Sequence, residues 1–185
     1  ACNHNCVWCR YEHAPLSLSR EQLFNLFVKY PRVRGVRITG GGEPFLNENL
    51  LDFIKECFHR GIQTGVETNG SLLDDEAIDA IGRFCRYCRV SLDAATPETH
   101  ERLHRADDFD KIIGNIKKLR TAKVRELGVS YLVTPANVEE IPLLERLDLP
   151  VDYFHFKPLI QGIDGRTRER AVEIIASSPY LTALK

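Results

Sequence analysis

Apolar residues recur along this chain in two alternating patterns, one at helical spacing and one in short continuous runs. Helical spacing places apolar residues on one face of a segment and indicates amphipathic helices that bury that face. The short runs are typical of strands that are buried on both sides of a sheet. They predict strands at 33–39, 62–67, 87–92, 129–133 and 151–156. Helices are predicted between the strands, beginning near residues 20, 50, 75, 97, 109, 138 and 165.

Capping residues mark the ends of several predicted helices. Ser19 followed three residues later by Gln22 forms a capping box at the start of the first helix. Asp74 is predicted to cap the third helix, and Pro97 suits the first turn of the next one. Gly61 is predicted to end the second helix. The faces predicted to point inward carry Leu23, Leu26, Phe27 and Tyr30 in the first helix and Leu50, Ile54, Cys57 and Phe58 in the second.

Strands that alternate with helices at this pitch predict parallel strands joined by crossover helices, and therefore an α/β sheet or barrel. Chemistry in such folds gathers at the carboxyl ends of the strands. The unusual residues of this chain fall there, in the segments GGGEP, ETNG, SLDA, TPAN and KPL. Turn chemistry explains the glycines in these segments but not their charged and hydroxyl side chains. If one more strand precedes Ala1, the start of the chain joins the same edge, so we expect at least six strands.

Composition indicates an ordinary globular protein of one domain. Its 185 residues are 43% apolar and 28% charged, and the net charge is −1. A near-neutral chain has no global field to attract nucleic acid or an anionic membrane, so we expect neither as a partner. No apolar run approaches the ~20 residues of a membrane span. Six unevenly spaced cysteines do not resemble a secreted disulfide scaffold, so we expect a cytoplasmic protein with reduced thiols.

Three of the cysteines lie close together at the start of the chain, at Cys2, Cys6 and Cys9. Thiolates at this spacing suit one metal centre, because zinc and iron–sulfur clusters select soft sulfur ligands. A structural zinc site closes its shell with four protein ligands, whereas three ligands leave a position open. A zinc site completed by His4 or His13, or a disulfide framework, remains an alternative at this point.

The CxxxCxxC spacing resembles the cluster motif of the radical S-adenosylmethionine (SAM) enzymes. This resemblance implies a 4Fe–4S cluster held by Cys2, Cys6 and Cys9, with the fourth iron left for the amino and carboxylate groups of SAM. It also implies that Trp8 lies near the adenine of SAM. The ordered set of the cysteine triplet, GGGEP, ETNG and SLDA carries the resemblance from Cys2 to about Leu159.

The resemblance also implies a fold and an activity. The implied fold is a partial (βα)6 barrel of parallel strands with outer helices, and residues 1–185 would be a radical SAM core domain whose first strand lies upstream, hence a fragment. The reduced cluster would cleave SAM to a 5′-deoxyadenosyl radical, which abstracts a hydrogen atom from a small-molecule or peptide substrate (a peptide, sugar or cofactor precursor) in the barrel. A flavodoxin or ferredoxin would supply the electron. A zinc-binding module and an iron–sulfur electron carrier, both without SAM chemistry, are the alternatives.

Contacts with SAM are implied for the glycine-rich segment and for the third strand. Gly41 and Gly42 let the backbone approach a ligand closely, and with Glu43 they match the family segment that receives the ammonium of SAM. A flexible turn is the alternative. Ser91 and Asp93 lie two residues apart, and therefore on one face of their strand. They match the family's ribose contacts, although Asp93 could instead cap the next helix.

Three further residues are candidates for SAM or substrate contacts. Arg105 lies in a loose basic group where the family often carries an arginine that pairs with the carboxylate of SAM, a bidentate partner for a guanidinium. A solvated helix face is the alternative for this group. Asn69 and Asn137 each follow a strand and could contact SAM or the substrate, or could be turn residues.

The last predicted strand separates polar from aromatic residues. Tyr153, His155 and Lys157 share one face, and Phe154 and Phe156 share the other. If the phenylalanines pack under the helices, the polar face points into the barrel, where His155 and Lys157 are candidates for substrate binding or proton transfer. A satisfied core histidine and a lysine that extends to solvent are the alternatives.

Cys85 and Cys88 form a second pair just before a strand, at the end of the sheet opposite the predicted site. Two thiolates do not complete a cluster, so we expect a structural or incidental role. Cys57 lies on the apolar face of its helix and is expected in the core.

Overall fold

A computed structural model describes residues 1–9, 16–158 and 164–183, with side chains described to Leu181. One parallel sheet contains, in chain order, β1 Gly35–Ile38, β2 Gln63–Thr68, β3 Tyr87–Ser91, β4 Leu127–Val133 and β5 Tyr153–Pro158. The α-helices are α1 Arg20–Lys29, α2 Leu50–His59, α3 Asp75–Phe84, α4 Pro97–His104, α5 Phe109–Thr121, α6 Gly165–Ser177 and α7 Pro179–Ala183. The predicted α/β architecture is confirmed, with every predicted strand present. Among the described helices, none has the length and apolar character needed to cross a bilayer.

Local hydrogen bonds explain where several helices begin. Gln22 N donates to Ser19 Oγ at 3.2 Å and Ser19 N donates to Gln22 Oε1 at 2.9 Å, so the predicted capping box is present. Asp74 accepts from the backbone N–H of Ala77 at 2.8 Å at the start of α3. These caps satisfy N–H groups that a helix leaves unpaired at its first turn.

The helix predicted at 138–147 is present, and it is a 3₁₀ helix. Its bonds run from each donor to the third residue before it, as from Glu140 N to Asn137 O at 3.0 Å and from Asp148 N to Glu145 O at 3.3 Å. Pro142 lies inside this segment, lacks an N–H group and cannot support a regular α-helical ladder. The tighter helix is therefore favoured.

The main core lies between the sheet and the helices. Val66, Val90 and Val129 of the three central strands are fully buried on the helix-facing side. Phe154 and Phe156 of β5 pack against the same core, as the sequence predicts. The polar residues of β5 therefore lie on the opposite, inner face of the sheet.

Three residues predicted to point inward are exposed instead. Leu26, Tyr30 and Phe58 keep 37%, 53% and 50% of their surface in contact with solvent. In α1 the buried face is centred on Phe27, whose ring stacks on Phe53 of α2 at 5.3 Å. Leu26 lies about 100° around the helix from Phe27, and Tyr30 follows the last helical residue.

The inner face of the sheet is polar, contrary to the expectation of strands that are apolar on both sides. Glu67 of β2 pairs in register with Arg89 of β3, and Ser91 pairs with Ser130 of β4, which in turn pairs with His155 of β5. Side chains alternate along a strand, so these residues share one face. A continuous polar surface therefore crosses the inside of the fold.

Two tyrosine rings cover the amino end of this inner face. Tyr87 of β3 lies across Gly65 of β2, and Tyr153 of β5 lies across Gly128 of β4. A Cβ atom built on either glycine would fall inside the neighbouring ring. The rings need these glycines, because any side chain there would displace them.

Candidate cofactor site

The cysteine loop, residues 1–9, lies against the glycine-rich loop that follows β1. Glu43 N donates to Ala1 O at 2.9 Å, and a Cβ atom built on Gly42 would overlap the same Ala1 carbonyl. Glycine is therefore required where the two segments touch. The contact places Cys2 beside the carboxyl end of β1, at the edge where the sequence predicts a ligand site.

The three N-terminal thiols form one group. Burial raises the pKa of Cys2, a hydrogen bond from the His4 backbone opposes this shift, and the charges of Glu43, Cys6 and Cys9 raise the pKa further. Such charge effects require the groups to lie close together. All six cysteines of the chain are free, which removes the support for a disulfide framework.

An asparagine pair ties the cysteine loop to the end of β2. Asn69 Nδ2 donates to Asn3 Oδ1 at 2.9 Å, and Asn3 Nδ2 donates to Ser71 Oγ at 2.8 Å. Asn69 Oδ1 in turn accepts from the Ser71 backbone N–H at 2.9 Å. Asn69 thus serves as a turn residue and as an anchor for the loop.

The same loop is also bonded to the carboxyl end of α4. Asn5 N donates to His104 O at 3.2 Å, and Val7 N donates to Leu103 O at 2.9 Å. The last carbonyls of a helix lack partners within the helix, so the loop satisfies groups that would otherwise need water. This docking positions the side chain of His104 beside the loop.

Three buried imidazoles and one partly buried carboxylate form a network beside Cys6, and we call His4, His100, His104 and Asp108 the histidine cluster. His104 Nδ1 lies 3.4 Å from Cys6 Sγ and 3.4 Å from His4 Nδ1. Asp108 Oδ2 accepts from His4 Nε2 at 2.8 Å, and Asp108 Oδ1 accepts from His100 Nε2 at 2.9 Å. The network therefore joins a predicted cluster ligand to four residues outside the predicted site.

Aromatic contacts hold the ring of His104 from two sides. It stacks on His100 at a centroid distance of 4.4 Å, and Trp8 meets it edge-on at 5.4 Å. Trp8 is half-buried, and its contact with His104 holds it beside the histidine cluster, one residue before Cys9. Its predicted contact with adenine stays a prediction.

Cys6 and His104 interact, and the interaction lowers the pKa of Cys6 and raises the pKa of His104. Burial alone would raise the pKa of Cys6, but hydrogen bonds from His104 and His4 outweigh burial and lower the pKa to about 7. Burial alone would lower the pKa of His104, but Asp93 and Cys6 outweigh it and raise the pKa to about 10. Cys6 therefore reaches the thiolate form, which is the form that binds metals, near neutral pH.

Glu43 is buried at the glycine-rich loop and accepts three hydrogen bonds. Its carboxylate accepts from Thr68 Oγ1 at 2.6 Å, from Asn69 N at 2.7 Å and from Phe45 N at 3.2 Å. Burial raises the pKa of Glu43, while these three donors act against the shift. Glu43 thus holds β1 and β2 together beside Cys2, and its predicted contact with the ammonium of SAM stays a prediction.

Asp93 lies one residue beyond Leu92 in a left-handed backbone conformation, with φ 56°. Its Oδ1 accepts from Leu132 N at 2.6 Å, and its Oδ2 lies 3.5 Å from His104 Nε2. The helix that follows is capped by Thr96, which accepts from Thr99 N at 3.3 Å, so the alternative of Asp93 as the cap is wrong. Its carboxylate instead links the ends of two strands to the histidine cluster.

The remaining predicted SAM contacts differ in their surroundings. Ser91 is half-buried on the inner face. Asn137 is 1% exposed, and its amide donates to Asp93 O and Leu132 O at 2.7 and 2.8 Å, which favours the turn-residue alternative. Arg105 is exposed at the end of α4 with φ 54°.

His155 and Lys157 lie on the inner face with Arg89. Arg89 Nη1 donates to His155 Nδ1 at 2.9 Å, and Arg89 Nη2 donates to Glu67. Burial, then the charge of Arg89, lowers the pKa of both His155 and Lys157. His155 is exposed, so the alternative of a core histidine is wrong.

Cys85 and Cys88 are buried at the amino end of β3, away from the cysteine loop. Both belong to the main core, and burial raises the pKa of both thiols. The expected structural role fits these surroundings. Cys57 is also fully buried, as predicted.

Sequence reasoning missed the residues that hold the site together. His100 and His104 belong to the loose basic group around Arg105, for which a solvated helix face was the alternative, yet they are 0% and 2% exposed. Spacing could have found them, because residues four apart share one helix face. Asp108 gave no comparable signal, since only the folded chain brings it to His4.

Comparison with known proteins identifies a matching family. The sequence model described as the Radical SAM superfamily matches residues 1–147. The GTP 3′,8-cyclase of Rhodopseudomonas palustris (strain TIE-1) is 30% identical over 182 residues, covering 89% of this chain and 52% of that protein. The GTP 3′,8-cyclase of Campylobacter jejuni (strain RM1221) is 31% identical over 202 residues, covering 100% of this chain and 62% of that protein. The chain thus spans about half the length of the first of these relatives.

Solved structures share the fold. Streptococcus suis SuiB bound to the precursor peptide SuiA superposes with a TM-score of 0.77 at 16% identity, covering 95% of this chain and 44% of SuiB. Native anSMEcpe with bound AdoMet and a peptide gives 0.76 at 17% identity, covering 95% of this chain and 56% of that one. At such identities the likeness concerns the fold alone.

Proposed function

Because this chain belongs to the radical SAM superfamily, whose cofactors are a 4Fe–4S cluster and SAM, we propose that Cys2, Cys6 and Cys9 hold the cluster and that the carboxyl ends of the strands bind SAM. The observation that carries this proposal is that Cys2 lies close to the free thiols of Cys6 and Cys9, on a loop that is hydrogen-bonded to the glycine-rich loop. Soft thiolates fit an iron–sulfur cluster, and three of them leave one iron for SAM.

The surrounding residues support a division of roles around SAM. We assign the ammonium to Gly41, Gly42 and Glu43, because Glu43 lies beside Cys2. Ribose contacts are assigned to Ser91 and Asp93, the latter 3.5 Å from the ring that touches Cys6. Further contacts assigned to SAM are Trp8 at the adenine, Arg105 at the carboxylate, and Asn69 and Asn137 at the strand ends.

The proposed activity is a radical reaction on a substrate held over the inner face. When bound, the cluster supplies one electron for cleavage of SAM to methionine and 5′-deoxyadenosine, with a hydrogen atom taken from the substrate. We propose a flavodoxin or ferredoxin as the electron donor, and the cytoplasm as the compartment. His155 accepts a hydrogen bond from Arg89, and it is proposed with Lys157 to bind the substrate or move a proton.

Charge on the inner face favours a substrate with an anionic group. Arg37, Arg89 and Lys157 place three cationic side chains near the carboxylate of Glu67, and Asp93 is a second carboxylate that acts on Lys157, so cations outnumber carboxylates in this group. Buried Arg89 Nε has no hydrogen-bond partner among the described residues. Since relatives are named GTP 3′,8-cyclase, GTP is the first small-molecule substrate to test. We expect GTP to bind the reconstituted protein more tightly than guanosine, and Arg89→Gln to abolish that difference.

Anaerobic reconstitution tests the cofactor assignment against its rivals. We expect a brown protein with close to four irons that forms 5′-deoxyadenosine from SAM after reduction. Cys2→Ala, Cys6→Ala and Cys9→Ala should each abolish SAM cleavage, while Cys57→Ala in the core of α2 should retain it. A colourless zinc protein would favour the binding module, and an iron protein that leaves SAM intact would favour the electron carrier.

A further inference from the structure

His104 is a buried side chain that contacts a proposed cluster ligand and that the assigned contacts do not use. It is 2% exposed, and its Nδ1 lies 3.4 Å from Cys6 Sγ. Five residues surround the ring, and they lie on the cysteine loop, after the end of β3 and on α4: Cys6, His4, Trp8, Asp93 and His100. The ring is thus fixed from several elements at once.

The hydrogen-bond partners of His4 and His104 indicate which ring nitrogens carry a proton. Asp108 accepts from His4 Nε2, so that nitrogen carries a proton. Asp93 faces His104 Nε2 at 3.5 Å. Cys6 as a metal-bound thiolate only accepts, so the nitrogen that faces it, His104 Nδ1, is the donor.

We propose that His104 donates a hydrogen bond from Nδ1 to the sulfur of Cys6 in the cluster-bound protein and thereby makes the cluster easier to reduce. The inference rests on the proposed role of Cys6 as a ligand. Reduction adds negative charge, part of which lies on the thiolate sulfurs. A donor at one sulfur stabilises that charge, and hydrogen bonds to sulfur are among the factors that set cluster potentials.

The docking of α4 against the cysteine loop keeps the ring of His104 next to Cys6. The carbonyls of Leu103 and His104 accept from the cysteine loop, so backbone hydrogen bonds hold the loop against the end of α4. Stacking on His100 at 4.4 Å prevents the ring from turning away. His104 is therefore a positioning residue that acts on the cofactor through Cys6 rather than by touching the substrate.

Redox titration of reconstituted protein, followed by the electron spin resonance of the reduced cluster, tests this proposal. His104→Phe keeps an aromatic ring without an N–H group, and we expect it to lower the reduced-to-oxidised ratio about tenfold at a fixed potential, a shift of about 59 mV for one electron. His104→Gln restores a donor and should return most of the shift. His59→Phe, at the exposed end of α2, is the matched control and should leave the potential unchanged.

The outcomes separate this inference from the proposed function. Wild-type protein that binds no iron would overturn the ligand role of Cys6 itself. A His104→Phe protein with close to four irons and an unchanged potential would overturn the hydrogen bond alone. Should that variant fail to fold, wild-type protein labelled with ¹⁵N-histidine remains informative. Its reduced cluster should show coupling to an exchangeable, ¹⁵N-bonded proton, and the absence of that coupling would refute the proposal.

Discussion

At the scale of single residues, Arg105 combines a strained backbone with a proposed SAM contact. Its φ of 54° and ψ of 41° lie in the left-handed region, which is unfavourable for a residue with a Cβ atom. Arg105→Gly should therefore raise the free energy of unfolding by about 1 kcal/mol, or the melting temperature by about 2–4 °C. If the guanidinium binds the carboxylate of SAM, the same variant should bind SAM more weakly by equilibrium dialysis.

Lys123 provides the control for this prediction. It has φ 60° in the turn after α5, where no SAM contact is proposed. Lys123→Gly should stabilise the protein as Arg105→Gly does, without changing the affinity for SAM. Equal SAM binding by both variants would remove Arg105 from the proposed site while leaving the backbone argument intact.

The buried thiol of Cys85 should make the free energy of unfolding depend on pH in the alkaline range. Burial raises its pKa from 9.0 to about 12, so the folded state keeps its proton while the unfolded state loses it. The stabilisation is complete below pH 9 and is lost as pH rises towards 12. Between pH 9 and 11 the wild type should lose about 2–3 kcal/mol more than Cys85→Ala in urea unfolding. Parallel losses in the two proteins would contradict the buried-thiol explanation.

At the scale of elements, Glu140 connects the 3₁₀ helix to the start of α4. Its carboxylate accepts from Ala95 N at 3.0 Å and from the hydroxyls of Thr96 and Thr99. A carboxylate at a helix N-terminus also interacts favourably with the helix dipole. Glu140→Ala should therefore lower the free energy of unfolding by about 1–3 kcal/mol and the melting temperature by several degrees.

The neighbouring Glu139 is a matched control. It forms an exposed ion pair with Arg170 at 2.9 Å, and exposed pairs contribute little. Glu139→Ala should leave the free energy of unfolding close to that of the wild type. A similar loss in both variants would show that the carboxylate of Glu140 has no special role at α4.

Elements were predictable where their determinants are local. Ser19 and Asp74 begin helices because a cap needs only the next three residues of the chain. The helix at 138–147 was also predictable, but its 3₁₀ type was not, since the apolar spacing suits both helix types and Pro142 decides between them. The partnership of His104 with Cys6 was not predictable from sequence, because it depends on how α4 docks against a loop 98 residues earlier in the chain.

At the scale of the whole molecule, the edge of the sheet at which the site forms was predictable from the sequence. The side-chain contacts on the inner face of the sheet were not. Parallel strands place their carboxyl ends together, so Glu43 and Asp93 had to lie at the edge where the cysteine loop docks. The partners of Arg89 depend on the register between strands, which no local pattern specifies. Register alone places Glu67 beside Arg89 and brings His155 within 2.9 Å.

Because of this register, replacing a glycine by alanine should have opposite effects on stability in the sheet and in a helix. Tyr153 lies across Gly128, so Gly128→Ala should push the ring from the inner face and destabilise the fold by about 1–3 kcal/mol. In α5, apart from the adjoining residues and backbone of the helix itself, no atom of the described residues comes within 4 Å of the methyl group that Gly114→Ala would add. Gly114→Ala should therefore stabilise by about 0.5–1 kcal/mol, since alanine is the better helix former. Urea unfolding of the two variants measures both effects. Stabilisation by Gly128→Ala would mean that the tyrosine does not cover this position, and that the amino end of the inner face is open.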